Sequence, residues 1–156
     1  MPRSAFLSLA SEAGIHKSYY AICDDHPLRV GVPKIGLSAK NVLAASSGIL
    51  PLEKLSGPGT VYKLLGLPED IALNFIIQGR EIIETHFRIS AEGIAQEGSF
   101  VVLSRDLLQV SGSGDRVPPY PRPAFYSMDE FMAILQDFDR LVRALAKCIQ
   151  PNIQEF

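Results

Sequence analysis

IALNFIIQGREIIETHFRISAEGIAQEGSFVVLSRDLLQV, residues 71–110, is the stretch whose reading decides the fold. Leu73, Phe75 and Ile77 alternate with Asn74, Ile76 and Gln78, and Ile83, Thr85, Phe87 and Ile89 alternate with Glu84, His86, Arg88 and Ser90. A period of two sends one set to a core and the other to solvent, the pattern of half-buried strands. Gly79-Arg80 supplies a two-residue hairpin turn, and Glu92-Gly93 and Glu97-Gly98 mark the next turn region. The apolar run Phe100–Leu103 predicts a strand covered on both faces. Leu107–Val110 then reads as its bulged continuation or as a fourth short strand.

Beyond this stretch lies SGSGDRVPPYPRP, residues 111–123, mobile in its Gly/Ser part and stiff in its Pro part. Too little chain comes after it for a second core, so this loop is expected to be internal to one domain. The helix expected over residues 127–150 has Ser127 and Glu130 as a capping box and Tyr126 and Phe131 as a hydrophobic staple. Its apolar stripe runs from Phe131 through Phe138 and Leu145 to Ile149 at 3,4 spacing. Asp129 and Glu130 suit the positive end of its dipole, Arg143 and Lys147 the negative end, and Pro151 stops it.

Upstream, Ser4 reads as the cap of a short helix running through Ala13 and closed by Gly14. Residues 19–23 and 28–37 read as strands separated by the turn Asp24-Asp25-His26-Pro27, with Pro33 marking an edge or a bulge. Ser38 caps a helix from Ala39 to about Ser46. Residues 49–55 read as a single turn or an irregular segment, and Thr60 as the N-cap of a helix Val61–Leu65 stopped by Gly66. The expectation is therefore a single α+β domain over residues 1–156. It has a mainly antiparallel sheet of about five strands, with the C-terminal amphipathic helix packed on one face.

Composition narrows the function classes. The 156 residues are 47% hydrophobic and 21% charged, with a formal net charge of −2 at pH 7. Residues 1–70 hold 7 basic and 6 acidic side chains and residues 71–156 hold 8 and 11, so neither half carries a nucleic-acid binder's basic footprint. No apolar run approaches the ~20 residues of a membrane span. The first residues lack the apolar core of a signal peptide. These features predict a soluble cytoplasmic chain without nucleic-acid or membrane partners. Cys23 and Cys148 are its only cysteines and make no disulfide framework.

Four places carry chemistry worth weighing. Cys23 and His26 have metal-ligand spacing, but no second pair completes a zinc set, so no metal is expected. Glu84, His86 and Arg88 share a strand face, with Arg80 beside them. There His86 would act as acid–base, Glu84 as its orienter and Arg88 as an anion clamp. Ser56-Gly57-Pro58-Gly59-Thr60 opens the expected helix at residue 61, so Thr60 and Lys63 are candidates for anion binding, although no Gly-Lys-Ser/Thr comes after them. The Gly/Ser loop at 111–114 has the look of a phosphate cradle but runs into Pro118-Pro119 instead of a helix. No nucleophile elbow, dinucleotide fingerprint, zinc-protease helix motif or calcium loop is present.

The reading these features favour is a small non-enzymatic binding or protein-interaction module without a cofactor, using the polar face of the sheet or the Pro-rich loop. It would take a protein partner or a small anionic ligand, with self-association as a homo-oligomer an open alternative. The competing reading is a small enzyme acting on an anionic metabolite through His86, Glu84 and Arg88.

Overall fold

The computed structural model describes residues 1–150. Helices α1 (Arg3–Glu12), α2 (Ile15–Asp25) and α3 (Ala39–Ser46) precede strands β1 (Leu52–Lys54), β2 (Thr60–Leu64), β3 (Ile71–Gln78), β4 (Ile82–Ala91) and β5 (Ile94–Gly98). Helices α4 (Phe100–Val110) and α5 (Met128–Ile149) complete the order of elements. The strands form one antiparallel sheet in the order β1-β2-β3-β4-β5. The helices gather on one face: α5 over β3 and β4, α4 over β4, α3 beside β1 and α5, with α1 and α2 closing around α4 and α5.

The alternation in residues 71–91 holds. Leu73, Phe75, Ile83, Thr85, Phe87 and Ile89 are buried, while His86 and Arg88 are exposed. The β3–β4 connection is three residues, Gly79 to Glu81, rather than two, because Gln78 pairs with Ile82. Glu92-Gly93 is a two-residue turn with both φ angles positive, 55° and 76°, the twist that favours tight hairpins.

The five-strand sheet is present, but several of its expected members are not. Residues 19–23 belong to α2, because the apolar stripe begins upstream: Ile15, Tyr19, Ile22 and Cys23 are all buried at helical spacing. Residues 28–37 form no strand. Pro27 and Pro33 lack ladder donors and Gly31 sits at φ 84°, so the segment runs as an irregular strap. Residues 52–54 are strand where an irregular segment is expected, and Thr60–Leu64 is strand where a helix is expected. Thr60, Val61 and Tyr62 are strand formers, and Tyr62 and Leu64 point inward at period two. Phe100 to Val110 is one helix capped by Ser99, not a strand pair; Phe100, Leu103 and Leu107 are buried on one side of it.

Helix α5 lies where the sequence places it. The Ser127 hydroxyl accepts from the Glu130 N–H at 3.0 Å. The reciprocal half of the capping box is shifted, since the Glu130 carboxylate accepts from the Tyr126 N–H (2.8 Å) instead of the Ser127 N–H. The staple is also shifted: Phe131 packs on Phe125, ring centroids 4.9 Å apart. The Pro151 stop lies outside the described residues. Segment 121–125 returns along the free part of β4, where the Ile83 N–H donates to the Pro123 carbonyl (3.1 Å) and the Phe125 N–H to the Glu81 carbonyl (2.8 Å). Chain on both sides of loop 111–123 thus packs into one core, with Leu107 and Phe125 both buried in it.

A candidate ligand cleft

The strap between α2 and α3 has no ladder of its own, and side chains from elsewhere hold it in place. The Glu130 carboxylate, in the first turn of α5, lies 2.9 Å from His26 Nδ1 and 3.6 Å from the Arg29 guanidinium. The Tyr126 hydroxyl accepts from the Arg29 N–H (2.8 Å) and donates to Glu81 (3.1 Å), and the Lys34 ammonium binds the other Glu81 oxygen at 2.9 Å. These contacts clasp the strap to the start of α5 and to the β3–β4 turn.

So held, Ile35 to Ser38 form one wall of a cleft of about 320 Å³. The start of β2 and the end of β3 form the opposite wall through Thr60, Tyr62 and Ile77, and Phe125 and Phe131 close one side. Arg80 stands on the rim as the single charged side chain of the lining. Its backbone is left-handed, φ 60°, a conformation that costs a non-glycine residue about 1–2 kcal/mol. Tyr62 is buried, and its hydroxyl has no hydrogen-bond partner among the described residues. Burial raises its pKa, so it remains a neutral donor.

Two sequence candidates meet here: Thr60, in a strand and not at a helix start, and Arg80. Lys63 lies on the opposite face of the sheet, in register with Glu53 and Asn74. His86 and Arg88 share that open face and both approach Glu97, at 3.9 Å each. Glu84 turns away from them, accepting from the Thr85 N–H at 2.9 Å and facing Arg122 at 3.7 Å. Burial raises its pKa, only partly offset by the Thr85 N–H and Arg122. With Glu84 engaged by Arg122 and His86 by Glu97, the three do not form one cluster.

Cys23 and His26 also part company. His26 faces Glu130, whereas the Cys23 thiol is buried and donates to the Pro121 carbonyl at 3.6 Å. Burial pushes this thiol up to about 12, which keeps it protonated and a poor nucleophile or ligand at neutral pH. No group of three or more His, Cys, Asp or Glu side chains is placed to hold a metal among the described residues. Iodoacetamide should accordingly leave Cys23 unmodified in the native protein and label it in urea. Native alkylation as fast as in the unfolded chain would contradict the buried placement.

A larger cavity, about 500 Å³, lies between the end of α2 and residues 116–122. Its guanidinium groups are already engaged. Arg116 pairs with Asp24 and stacks on Tyr20, and Arg122 binds Gln78 and Glu84. The 320 Å³ cleft is better suited to a ligand because its cation is uncommitted among the described residues.

The strap wall, Phe125 and Glu130 are absent from the sequence-based candidates. The signal for the strap is Pro27 and Pro33 bracketing Gly31, a poor strand on backbone chemistry alone. Comparison with protein-family models, curated proteins and solved structures finds no match. No helix among the described residues is long and apolar enough to cross a membrane.

Proposed function

We propose that the protein is a non-enzymatic binding module whose ligand occupies the cleft between the strap and the β2–β3 sheet end. The observation that carries this reading is the lining: apolar walls, a few hydroxyl groups and one charge, with no histidine, lysine, thiol or carboxylate in it to activate a hydroxyl. Small-molecule sites have this make-up, and the volume falls at the lower end of their usual range, about 300–1,000 Å³. A cytoplasmic setting belongs to the same reading, supported by two free thiols of the kind a reducing compartment maintains. A protein partner or a second copy would use the same cleft through an inserted side chain. The acid–base alternative has less support, because His86 and Arg88 lie exposed beside Glu97.

Methyl-labelled protein titrated with octanol, an apolar probe of suitable size, tests the site. Shifts should concentrate on the methyl groups of Ile35, Leu37, Val42 and Ile77. Unmoved cleft methyls, or shifts spread evenly over the surface, would overturn the assignment.

A further inference from the structure

We propose that the ligand of this cleft is a small organic monoanion, with an apolar body among Leu37, Val42, Phe125 and Phe131 and a carboxylate-like head on Arg80. The inference rests on the cleft being a binding site and adds the chemistry of what enters it.

The pattern of ion pairs points to the anion. Every other arginine among the described residues has a carboxylate within 4.0 Å: Arg3 with Asp106, Arg29 with Glu130, Arg88 with Glu97, Arg105 with Asp115, Arg116 with Asp24, Arg122 with Glu84, Arg140 with Asp137 and Arg143 with Asp139. Arg80 has none among them, although it stands beside Glu81, whose carboxylate is taken by Lys34 and Tyr126. A guanidinium left over at the mouth of an apolar cleft offers a planar fork to a carboxylate. Arg80 is itself exposed, so the pair would be a forked, charge-assisted hydrogen bond at the cleft mouth and not a buried ion pair.

The apolar walls set the other half of the ligand. Val42, Tyr62, Phe125 and Phe131 are each 1% exposed or less, so the cleft floor is the hydrophobic core itself. An inorganic anion would leave this floor unused, and a neutral apolar molecule would leave Arg80 unused. One guanidinium matches one negative charge; a dianion would call for a second free cation, and Lys34 is occupied by Glu81. The buried Tyr62 hydroxyl adds an unused donor in the same wall.

Calorimetric and methyl-shift titrations with octanoate, octanol, octylammonium and acetate test the proposal. Octanoate should bind about tenfold more tightly than octanol, the low end expected of a charge-assisted hydrogen bond, and octylammonium more weakly than either. Acetate should not saturate the site over the octanoate range. Arg80→Asn, a residue that tolerates the left-handed backbone, should bring octanoate down to the octanol value, and Arg80→Lys should fall between. Lys17→Ala, an equal charge loss on the exposed side of α2, should leave octanoate binding as it is. Equal affinities for octanoate and octanol would overturn the proposal while the cleft assignment stands. So would undiminished octanoate binding by Arg80→Asn, or saturation by acetate. If no probe moves the cleft methyls, both readings fall together.

Discussion

Phe138→Ala should cost about 3–5 kcal/mol, the usual range for removing a fully buried aromatic ring. Phe138 is completely buried in α5. Its ring centroid lies 5.9 Å from that of Phe100 on α4, 6.1 Å from that of Tyr19 on α2 and 6.3 Å from that of Phe75 on β3. One side chain thus joins three helices to the sheet. Truncation removes the transferred ring and leaves a hole walled by other rings, which can collapse only in part. Against a typical total of roughly 5–15 kcal/mol, such a loss takes a large share of the stability. Urea denaturation measures it directly, and Phe138→Leu, which keeps much of the apolar contact, should lose less. A loss below about 1 kcal/mol, the average over point substitutions in general, would mean that α5 is not seated on the sheet through this ring.

The reach of the sequence depends on whether one physical signal dominates a segment. In residues 71–91 and 128–149, period and burial agree over many residues, and the two strands and the helix appear as expected. In residues 19–23 the window is too short. Tyr-Tyr-Ala-Ile-Cys looks like a strand until Ile15 is included, after which the helical spacing governs. Phe100-Val101-Val102-Leu103 misleads because its residues favour strands, whereas tertiary packing selects the face Phe100, Leu103 and Leu107. Thr60 carries two valid local meanings, helix cap and β-branched strand residue, and pairing with Ile77 selects the second. The cleft is half legible: Thr60 and Arg80 can be named from the sequence, but not their meeting. That depends on the Thr60–Ile77 register and on a strap held by contacts about a hundred positions apart in the chain, such as His26 with Glu130.

Glu130→Ala should cost about 2 kcal/mol, the penalty for leaving the partners of a charged, partly buried acceptor unmatched, and should loosen the strap more than the sheet. The carboxylate accepts from the Tyr126 N–H at 2.8 Å and pairs with His26 Nδ1 at 2.9 Å, with its side chain only 15% exposed. Burial alone would raise its pKa. The His26 hydrogen bond, the Tyr126 N–H and the Arg29 charge outweigh burial and hold it below the ordinary value of 4.5. A carboxyl group whose folded pKa is depressed contributes stability that is complete above its unfolded pKa and is lost as pH falls through the folded value. The wild-type protein should therefore lose this contribution in acid below the ordinary carboxylate range, and Glu130→Ala should show a flatter dependence there. Glu130→Gln keeps an acceptor without the charge and should fall between the two. Amide exchange separates a strap effect from general destabilisation: the Arg29 N–H, bound to the Tyr126 hydroxyl, should exchange faster in the variant while the β3 and β4 amides hold. Because Ile35 to Ser38 are both strap and cleft wall, octanoate affinity should fall in the same variant. If Arg29 exchange and octanoate affinity both stayed at wild-type levels, the clasp would not be what shapes the cleft.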